Sequence, residues 1–182
     1  LMSDKKNISV VIPVYNSSLN LLNLVDEIAN IFKENFKTYE LVLVDDKSED
    51  NSWEVISSLC QKYDFVKGIS LRKNVGQHNS LLAGIKHTSG EFIITMDDDG
   101  QNSPHDIIAL YKEIKKGYDI CYANYSIKKH NIFRKFASKF FNIFVTLLFN
   151  KPINLHLTSF RVFKSEIKDE VTKNKSSSIY LD

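Results

Sequence analysis

The chain reads Glu91-Phe92-Ile93-Ile94-Thr95-Met96-Asp97-Asp98-Asp99-Gly100-Gln101 at its centre, a largely apolar run that ends in three adjacent carboxylates. The apolar run predicts a strand over residues 91–96 that is buried on both faces, as in a parallel sheet. Such a strand delivers the carboxylates to the edge of the sheet. Three like charges side by side are unfavourable unless a cation relieves them, so this edge is a candidate ligand site.

Similar apolar runs recur along the chain and alternate with segments of helical periodicity. The predicted strands are 8–12, 40–44, 66–71, 91–96 and 118–122. The predicted helices are 20–36, 53–63 and 76–87, and a last one that ends at Lys116. In this last helix Ser103 is the expected N-cap, with Pro104 at the first helical position and Asp106 in the first turn. This alternation with short links predicts an α/β fold, a mostly parallel sheet with helices on both faces.

Polar clusters follow three of the predicted strands directly. They are Tyr15-Asn16, Asp45-Asp46 and residues 97–101. In open parallel sheets, ligands bind outside the carboxyl ends of the strands, so we expect these clusters to converge on one site.

The acidic cluster has the chemistry of a hard-cation site. In an extended segment Asp97 and Asp99 share a face and Asp98 points away, with the Gln101 carbonyl two residues further on. Mg²⁺ or Mn²⁺ with a diphosphate completing the shell would suit this set of oxygen ligands. Two alternatives stay open: a solvated acidic turn, and a phosphatase-type loop with Asp97 as nucleophile. The second is disfavoured because Gln101 follows the glycine and some 90 residues precede the loop.

The other clusters suit a nucleotide. A carboxylate at Asp45 or Asp46 can accept hydrogen bonds from a nucleobase or from ribose hydroxyls, although aspartate also serves as a turn former or helix cap. Tyr15 offers an aromatic face for a base. Gly76 and Gln77 open a helix whose free N–H groups could face a phosphate.

Composition and charge narrow the classes of protein. The chain has 182 residues, 43% hydrophobic and 25% charged, which excludes disorder, collagen and coiled coil. The formal net charge is +2, but residues 1–111 carry 10 Lys/Arg and 16 Asp/Glu, net −6, whereas residues 112–182 carry 14 and 6, net +8. This asymmetry predicts a cation site in the first half and an anion- or membrane-facing surface in the second.

Localisation follows from what the sequence lacks. We expect Cys60 and Cys121 to be reduced thiols, because neither lies in a CxxC pair. The polar residues after Met2 do not form a signal peptide, and no run reaches the ~18–20 apolar residues of a membrane span. These features favour a cytoplasmic protein.

Basic and aromatic residues alternate in the second half, over 128–149. Phe136, Phe140, Phe144 and Leu148 lie at helical spacing, which predicts a basic amphipathic helix that meets anionic head groups and enters the membrane interface. A core helix with a solvated basic face is the alternative. Nucleic-acid binding is disfavoured because the acidic half would repel it and no recognition motif is present.

The ordered motifs together resemble the family 2 glycosyltransferases with the GT-A (Rossmann-like) fold. The resemblance runs through residues 9–16, 43–50, 72–77, 83–84 and 96–101. Residues 74–78 and the loop from Asp97 to Gln101 look like the polyprenyl-phosphate branch, the dolichol-phosphate mannose synthases and bacterial undecaprenyl-phosphate glycosyltransferases. Residues 158–161 resemble a further segment of that branch.

The resemblance implies a role for each motif position. The nucleotide would be held by Pro13, Tyr15, Asn16, Asp45, Asp46, Gly76, Gln77 and Asp98, and the metal, Mg²⁺ or Mn²⁺, by Asp97, Asp99 and Gln101. Arg134 and Ser138 would bind the lipid phosphate, and their four-residue spacing puts both on one helical face. With Arg134, Asp97 and Asp99 form the expected catalytic set.

The resulting hypothesis is an inverting, metal-dependent transfer of a sugar from a UDP- or GDP-sugar to polyprenyl phosphate. Residues 1–123 would form the nucleotide-sugar-binding core, and residues 124–182 an acceptor- and membrane-facing extension that continues into further helices in the natural protein. We expect it at the inner face of the cytoplasmic membrane. Two alternatives remain: transfer to a saccharide hydroxyl in surface-polysaccharide synthesis, and a catalytically silent, membrane-associated sugar-nucleotide-binding module.

Overall fold

The computed structural model describes residues 8–123 and 159–173, which form a six-stranded sheet in the order β3-β2-β1-β4-β6-β5. The strands are β1 (Ile8–Val14), β2 (Tyr39–Asp45), β3 (Val66–Ser70), β4 (Phe92–Thr95), β5 (Ile120–Tyr122) and β6 (Arg161–Lys164). Strands β1 to β4 are parallel, and β6 is antiparallel to both of its neighbours. The prediction of a mostly parallel sheet is therefore confirmed.

Five α-helices accompany the strands within the described ranges. They are α1 (Ser18–Asn35), α2 (Ser52–Lys62), α3 (Gln77–Lys86), α4 (Asp106–Ile114) and α5 (Lys168–Lys173), with a 3₁₀ turn at Ser165–Ile167 before α5. None of these helices has the length and apolar character needed to cross a bilayer.

The two faces of the sheet are covered by different helices. Alternate residues of a strand point to opposite faces. Val10 and Ile12 accordingly pack with the buried stripe of α1 and with residues of α2 and α4, whereas Val11 packs with Leu81 and Ile85 of α3. Helices therefore lie on both faces, as the sequence predicts.

Pro13 lies inside the first strand, not after it. The predicted end at Ile12 is wrong because β1 continues to Val14. The carbonyl of Val11 accepts a hydrogen bond from the N–H of Met96, on the β4 side of β1. Because every second residue of a strand directs its backbone groups to the same side, the nitrogen of Pro13 also faces β4. The β1–β4 pairing ends at Val11 and Thr95, so the missing N–H of a proline costs no ladder bond there.

The last predicted helix is shorter than expected, and Ser103 is not its N-cap. A tight turn precedes α4, in which the N–H of Asp106 donates to the carbonyl of Ser103 and that of Ile107 to Pro104. This three-residue spacing replaces the expected first α-helical turn. At the other end the chain leaves the helix at Ile114, before Gly117, whose φ is +111°.

Strand β6 is an element that the sequence analysis did not anticipate. It has four residues, with a charged residue at each end, and its two partners lie far away in the sequence. Part of the predicted acceptor extension, residues 161–164, thus completes the sheet between β4 and β5.

Candidate functional site

An open cavity of about 370 Å³ lies at the carboxyl edge of β1, β2 and β4. It is lined by Pro13, Val14, Tyr15, Asp46, Asn74, Gly76, Gln77, Asp97, Asp98 and Asp99. The three polar clusters predicted from the sequence therefore do converge. Their convergence follows from the parallel order of the strands, which puts all of the carboxyl ends on one side.

Asp97 is held from two sides. Nε2 of Gln77, at the start of α3, lies 2.5 Å from its Oδ1, and the hydroxyl of Ser159 donates to its Oδ2. Burial raises the pKa of the Asp97 carboxyl, the Ser159 hydrogen bond opposes this shift, and the negative charge of Asp99 adds to it. Asp97 is thus a carboxylate whose ionised form a nearby cation would favour.

Asp98 faces the cavity together with its neighbours, so the expectation that it points away is wrong. Strand β4 ends at Thr95, and the chain bends at Asp98 and Asp99, which breaks the alternation of an extended segment. The Asp98 carboxylate accepts a hydrogen bond from the N–H of Tyr15, at 3.3 Å. Burial raises the pKa of Asp98, and hydrogen bonds from Ser17 and Tyr15 oppose that shift.

Asp99 shapes the turn that follows it. Its Oδ1 accepts a hydrogen bond from the N–H of Gln101 at 2.9 Å, across Gly100, whose φ is +70°. Gln101 itself is exposed, and its place among the metal ligands stays a prediction.

Asp45, the last residue of β2, and Asp46, the residue after it, are both buried and both accept hydrogen bonds from the chain itself. The two oxygens of Asp46 accept from the N–H groups of Val75 and Gly76, at 2.7 and 2.8 Å. Asp45 accepts from the N–H of Ser48 at 3.0 Å and from the hydroxyl of Ser70 at 3.2 Å. Asp46 thereby ties the end of β2 to the turn that starts α3.

The loop after β1 is fixed by Asn16, which has the unusual φ of +53°. Its side-chain oxygen accepts from the N–H of Glu49 at 2.8 Å, and its own N–H donates to the hydroxyl of Ser48 at 3.1 Å. Asn16 is therefore hydrogen-bonded to the loop after β2 through both its side chain and its backbone. Its neighbour Tyr15, 46% exposed, lines the cavity.

Asp50 fastens the starts of two helices. It accepts from the N–H of Ser18, in the first turn of α1, and from the N–H and hydroxyl of Ser52, in the first turn of α2. Burial raises the pKa of Asp50, but these hydrogen bonds outweigh it and lower the pKa to about 2. A carboxylate at two helix N-termini is also favoured by the helix dipoles.

Sequence reasoning did not assign a role to Ser159 or Asn74, which the structure places at the site. Asn74 lines the cavity, and its side-chain oxygen accepts from the N–H of Gly76 at 3.2 Å. Both residues lie in segments that carried the family resemblance, so the signal was present but unspecific. Arg134 and Ser138 lie outside the described residues, as does the predicted basic amphipathic helix, and their roles stay predictions.

The donor set of the site fits a divalent cation. No group of three or more His, Cys, Asp or Glu side chains in the described ranges is arranged around a common metal position. Mg²⁺, however, is commonly held by one or two carboxylates together with substrate phosphates, and Asp97 and Asp99 supply two. No Lys or Arg occurs among the described residues lining this acidic cavity, and a cation would relieve the repulsion between its carboxylates and an anionic diphosphate.

Residues 9–175 match the family described as Glycosyl transferase family 2. The chain belongs to this family. The match covers nearly the whole sequence and includes β6 as well as the four parallel strands. The predicted family and fold are confirmed.

Two curated relatives of this glycosyl transferase family 2 chain share one name. An undecaprenyl-phosphate 4-deoxy-4-formamido-L-arabinose transferase of Photorhabdus laumondii is 33% identical over 97% of this chain and 54% of its own length. The protein of that name from Salmonella choleraesuis is 32% identical over the same shares. The chain therefore spans about half the length of the curated relatives it matches.

Solved structures agree on the fold. Glucosyl-3-phosphoglycerate synthase from Mycobacterium tuberculosis, in complex with Mn²⁺, UDP and glucosyl-3-phosphoglycerate, aligns with a TM-score of 0.69 at 16% identity, over 89% of this chain and 58% of its own. A mannosyltransferase from Pyrobaculum calidifontis, in complex with GDP-Man and Mn²⁺, aligns with a TM-score of 0.66 at 15% identity, over 98% and 50%.

Proposed function

We propose that the protein transfers a sugar from a UDP- or GDP-sugar to undecaprenyl phosphate, using Mg²⁺ or Mn²⁺. The observation that carries this proposal is the acidic cavity, in which three strand ends bring Tyr15, Asp46 and Asp97 to Asp99 around one space. The names of the curated relatives support the acceptor, and the ligands of the two solved structures support the donor and the metal.

The donor side of the reaction falls to residues of the cavity. The exposed ring of Tyr15 would offer a face to the nucleobase, and Gln77, in the first turn of α3, lines the space where the phosphates would lie. The N–H of Gly76 already donates to Asp46 and Asn74. Asp97 and Asp99 would hold the divalent cation against the diphosphate. When bound, that cation neutralises the charge that builds on the departing nucleoside diphosphate.

The acceptor side needs fewer catalytic groups. An acceptor oxygen attacks the anomeric carbon of the sugar while the bond to the nucleoside diphosphate breaks. A phosphate monoester, with a second pKa near ~6, is already an anion at neutral pH and needs no general base. We assign its recognition to Arg134 and Ser138, within the proposed acceptor segment 124–182, and the donor to residues 1–123. Because the acceptor is a membrane lipid, we place the reaction at the inner face of the cytoplasmic membrane.

A transfer assay tests the proposal. The purified protein is incubated with Mn²⁺, a panel of labelled UDP- and GDP-sugars and either undecaprenyl phosphate in detergent micelles or a saccharide acceptor, and the label transferred to each acceptor is measured. We expect transfer from at least one donor, abolished by chelation of the metal. Transfer to a saccharide hydroxyl but not to the lipid would favour the polysaccharide alternative. Nucleotide-sugar binding without transfer would favour the silent module.

The lipid-phosphate assignment has its own variant. Arg134→Ala should raise the KM for undecaprenyl phosphate and leave nucleotide binding unchanged, since Arg134 belongs to the acceptor side of the proposal. Lys33→Ala is the control: it removes one positive charge from an exposed position in the last turn of α1 and should leave the KM unchanged. If Arg134→Ala transferred sugar at the wild-type rate at low lipid concentration, the acceptor assignment would be wrong.

A further inference from the structure

Ser159 stands immediately before β6, beside the strand that leads to Asp97. Its hydroxyl donates to Oδ2 of Asp97, and its carbonyl accepts a hydrogen bond of 2.5 Å from the hydroxyl of Thr95. Thr95 is fully buried at the end of β4, two residues before Asp97. Ser159 is therefore fixed to the same strand whose end carries the carboxylate it contacts.

The residues that follow Ser159 hold its backbone in place. Phe160 is fully buried, and its carbonyl accepts a hydrogen bond of 2.9 Å from the N–H of Ala123, just after β5. Arg161 then pairs in register with Thr95 on one side and Tyr122 on the other. Strands β4 and β5 thus determine where the Ser159 hydroxyl lies.

Asp97 receives its second hydrogen bond from a different element. Nε2 of Gln77 reaches Oδ1 from the start of α3, while Ser159 reaches Oδ2 from the start of β6. A donor on each oxygen limits rotation of the carboxylate, and the side chain of Asn102 adds a further hydrogen bond to Asp97.

We propose that Ser159 is a positioning residue that fixes the orientation of the Asp97 carboxylate for binding of the divalent cation, an inference that rests on the proposed function. Groups that hydrogen-bond to metal ligands orient them, and their loss commonly lowers metal affinity ~10- to 100-fold. The requirement is strict for Mg²⁺, which demands near-ideal octahedral geometry.

The affinity for Mn²⁺ tests this role directly. The dissociation constant of Mn²⁺ is measured by electron paramagnetic resonance of the free ion, with UDP or GDP present, for wild type, Ser159→Ala and Ser159→Cys. We expect roughly tenfold weaker binding for Ser159→Ala. Ser159→Cys should lie between, because a thiol is a weaker donor of nearly the same size. Excess Mn²⁺ should restore the turnover of both variants.

Ser165→Ala is the matched control, since Ser165 lies at the far end of β6 and its N–H bonds to the carbonyl of Glu91. It should bind Mn²⁺ as the wild type does. Equal affinity in Ser159→Ala and wild type would overturn the inference, and so would a loss of turnover that excess Mn²⁺ does not restore, accompanied by a lower melting temperature. If the wild type itself bound no Mn²⁺ with either nucleotide, the proposed function would fail, and the inference with it.

Discussion

The three carboxylates after β4 have different hydrogen-bond partners although they are adjacent in sequence. Asp97 is bonded to Gln77 and Ser159, Asp98 to the backbone of Tyr15, and Asp99 to the turn at Gln101. Among the described residues, the hydrogen bond of Asp99 stays within its own turn and does not reach another strand end. Its replacement should therefore leave the surrounding loops in place.

Asp99→Asn should abolish most of the sugar transfer and leave the fold intact. Asparagine keeps the size of the side chain but loses the charge that a divalent cation requires. We expect turnover to fall by at least ~100-fold, with a melting temperature within about 2 °C of wild type, because surface substitutions usually cost under ~0.5 kcal/mol. Asp64→Asn, exposed before β3 at the opposite edge of the sheet, is the matched control and should retain full activity.

Asp46 acts on the site through the chain, because its two oxygens accept the N–H groups of Val75 and Gly76. Asp46→Asn replaces one acceptor by a donor, so the hydrogen bond between Asp46 and one of these N–H groups is lost and the new amide N–H faces that group. The expected cost is about 1–3 kcal/mol of unfolding free energy, measured by urea denaturation. Nucleotide affinity should fall with it, since the turn before α3 loosens. If Asp46→Asn had the same free energy of unfolding as Asp99→Asn, the role of Asp46 in holding the turn before α3 would be contradicted.

At the scale of elements, the position of α3 depends on how closely it approaches the sheet. A Cβ added to Gly84 would lie 2.4 Å from Cγ1 of Val11 and 2.8 Å from Cγ2 of Val44. Valine side chains are stiff, so they cannot yield easily. The absence of a side chain at Gly84 thus allows α3 to present Gly76 and Gln77 to the cavity.

Gly84→Ala should destabilise the protein and weaken nucleotide binding together. Overpacking costs about 1–3 kcal/mol, of which the better helix propensity of alanine returns up to ~1. Denaturation and a titration with UDP or GDP measure the two effects. Lys86→Ala, on the exposed side of the same helix, should change neither. Unchanged affinity in Gly84→Ala would show that the approach of α3 does not set the site.

At the scale of the molecule, a buried carboxylate joins distant parts of the chain at the edge opposite to the cavity. Oε1 of Glu40 accepts from the hydroxyl of Ser9 at 2.6 Å and from the N–H and hydroxyl of Ser89, while Lys67 lies 2.6 Å from Oε2. Burial raises the pKa of Glu40, but the bonds from Lys67, Ser9 and Ser89 outweigh it and lower the pKa to about 2.

Because the folded pKa of Glu40 lies below its ordinary 4.5, its contribution to stability is complete above about pH 5 and is lost as the pH falls toward 2. Glu40→Gln should therefore be less stable than wild type at pH 7, and the difference should shrink as the pH falls to 3. Urea denaturation at several pH values measures it. If the difference in free energy of unfolding between wild type and Glu40→Gln did not change with pH, the lowered pKa of Glu40 would be contradicted. Asp50, which also has a pKa of about 2, is present in both proteins, so its titration cancels in the comparison.

Much of the fold was predictable because strands that are buried in a parallel sheet are continuous apolar runs in the sequence. Strands β1 to β4 and helices α1 to α3 lie within two residues of their predicted bounds. Two predicted element ends were wrong for local reasons. Strand β1 continues through Pro13 because its pairing with β4 has ended by then, and a tight turn replaces the first turn of α4. Strand β6 was missed because four residues between charged ends carry no pattern that separates them from a loop.

The sequence by itself determined the family, the layered architecture and the convergence of three polar clusters, since hydrophobic periodicity and parallel order dictate where strand ends go. Only the tertiary structure decided which groups each carboxylate contacts. Asp46 is bound to the start of α3 and Asp97 to Ser159, contacts between residues 29 to 62 positions apart. Such contacts depend on the placement of whole elements against each other, which local sequence patterns do not encode.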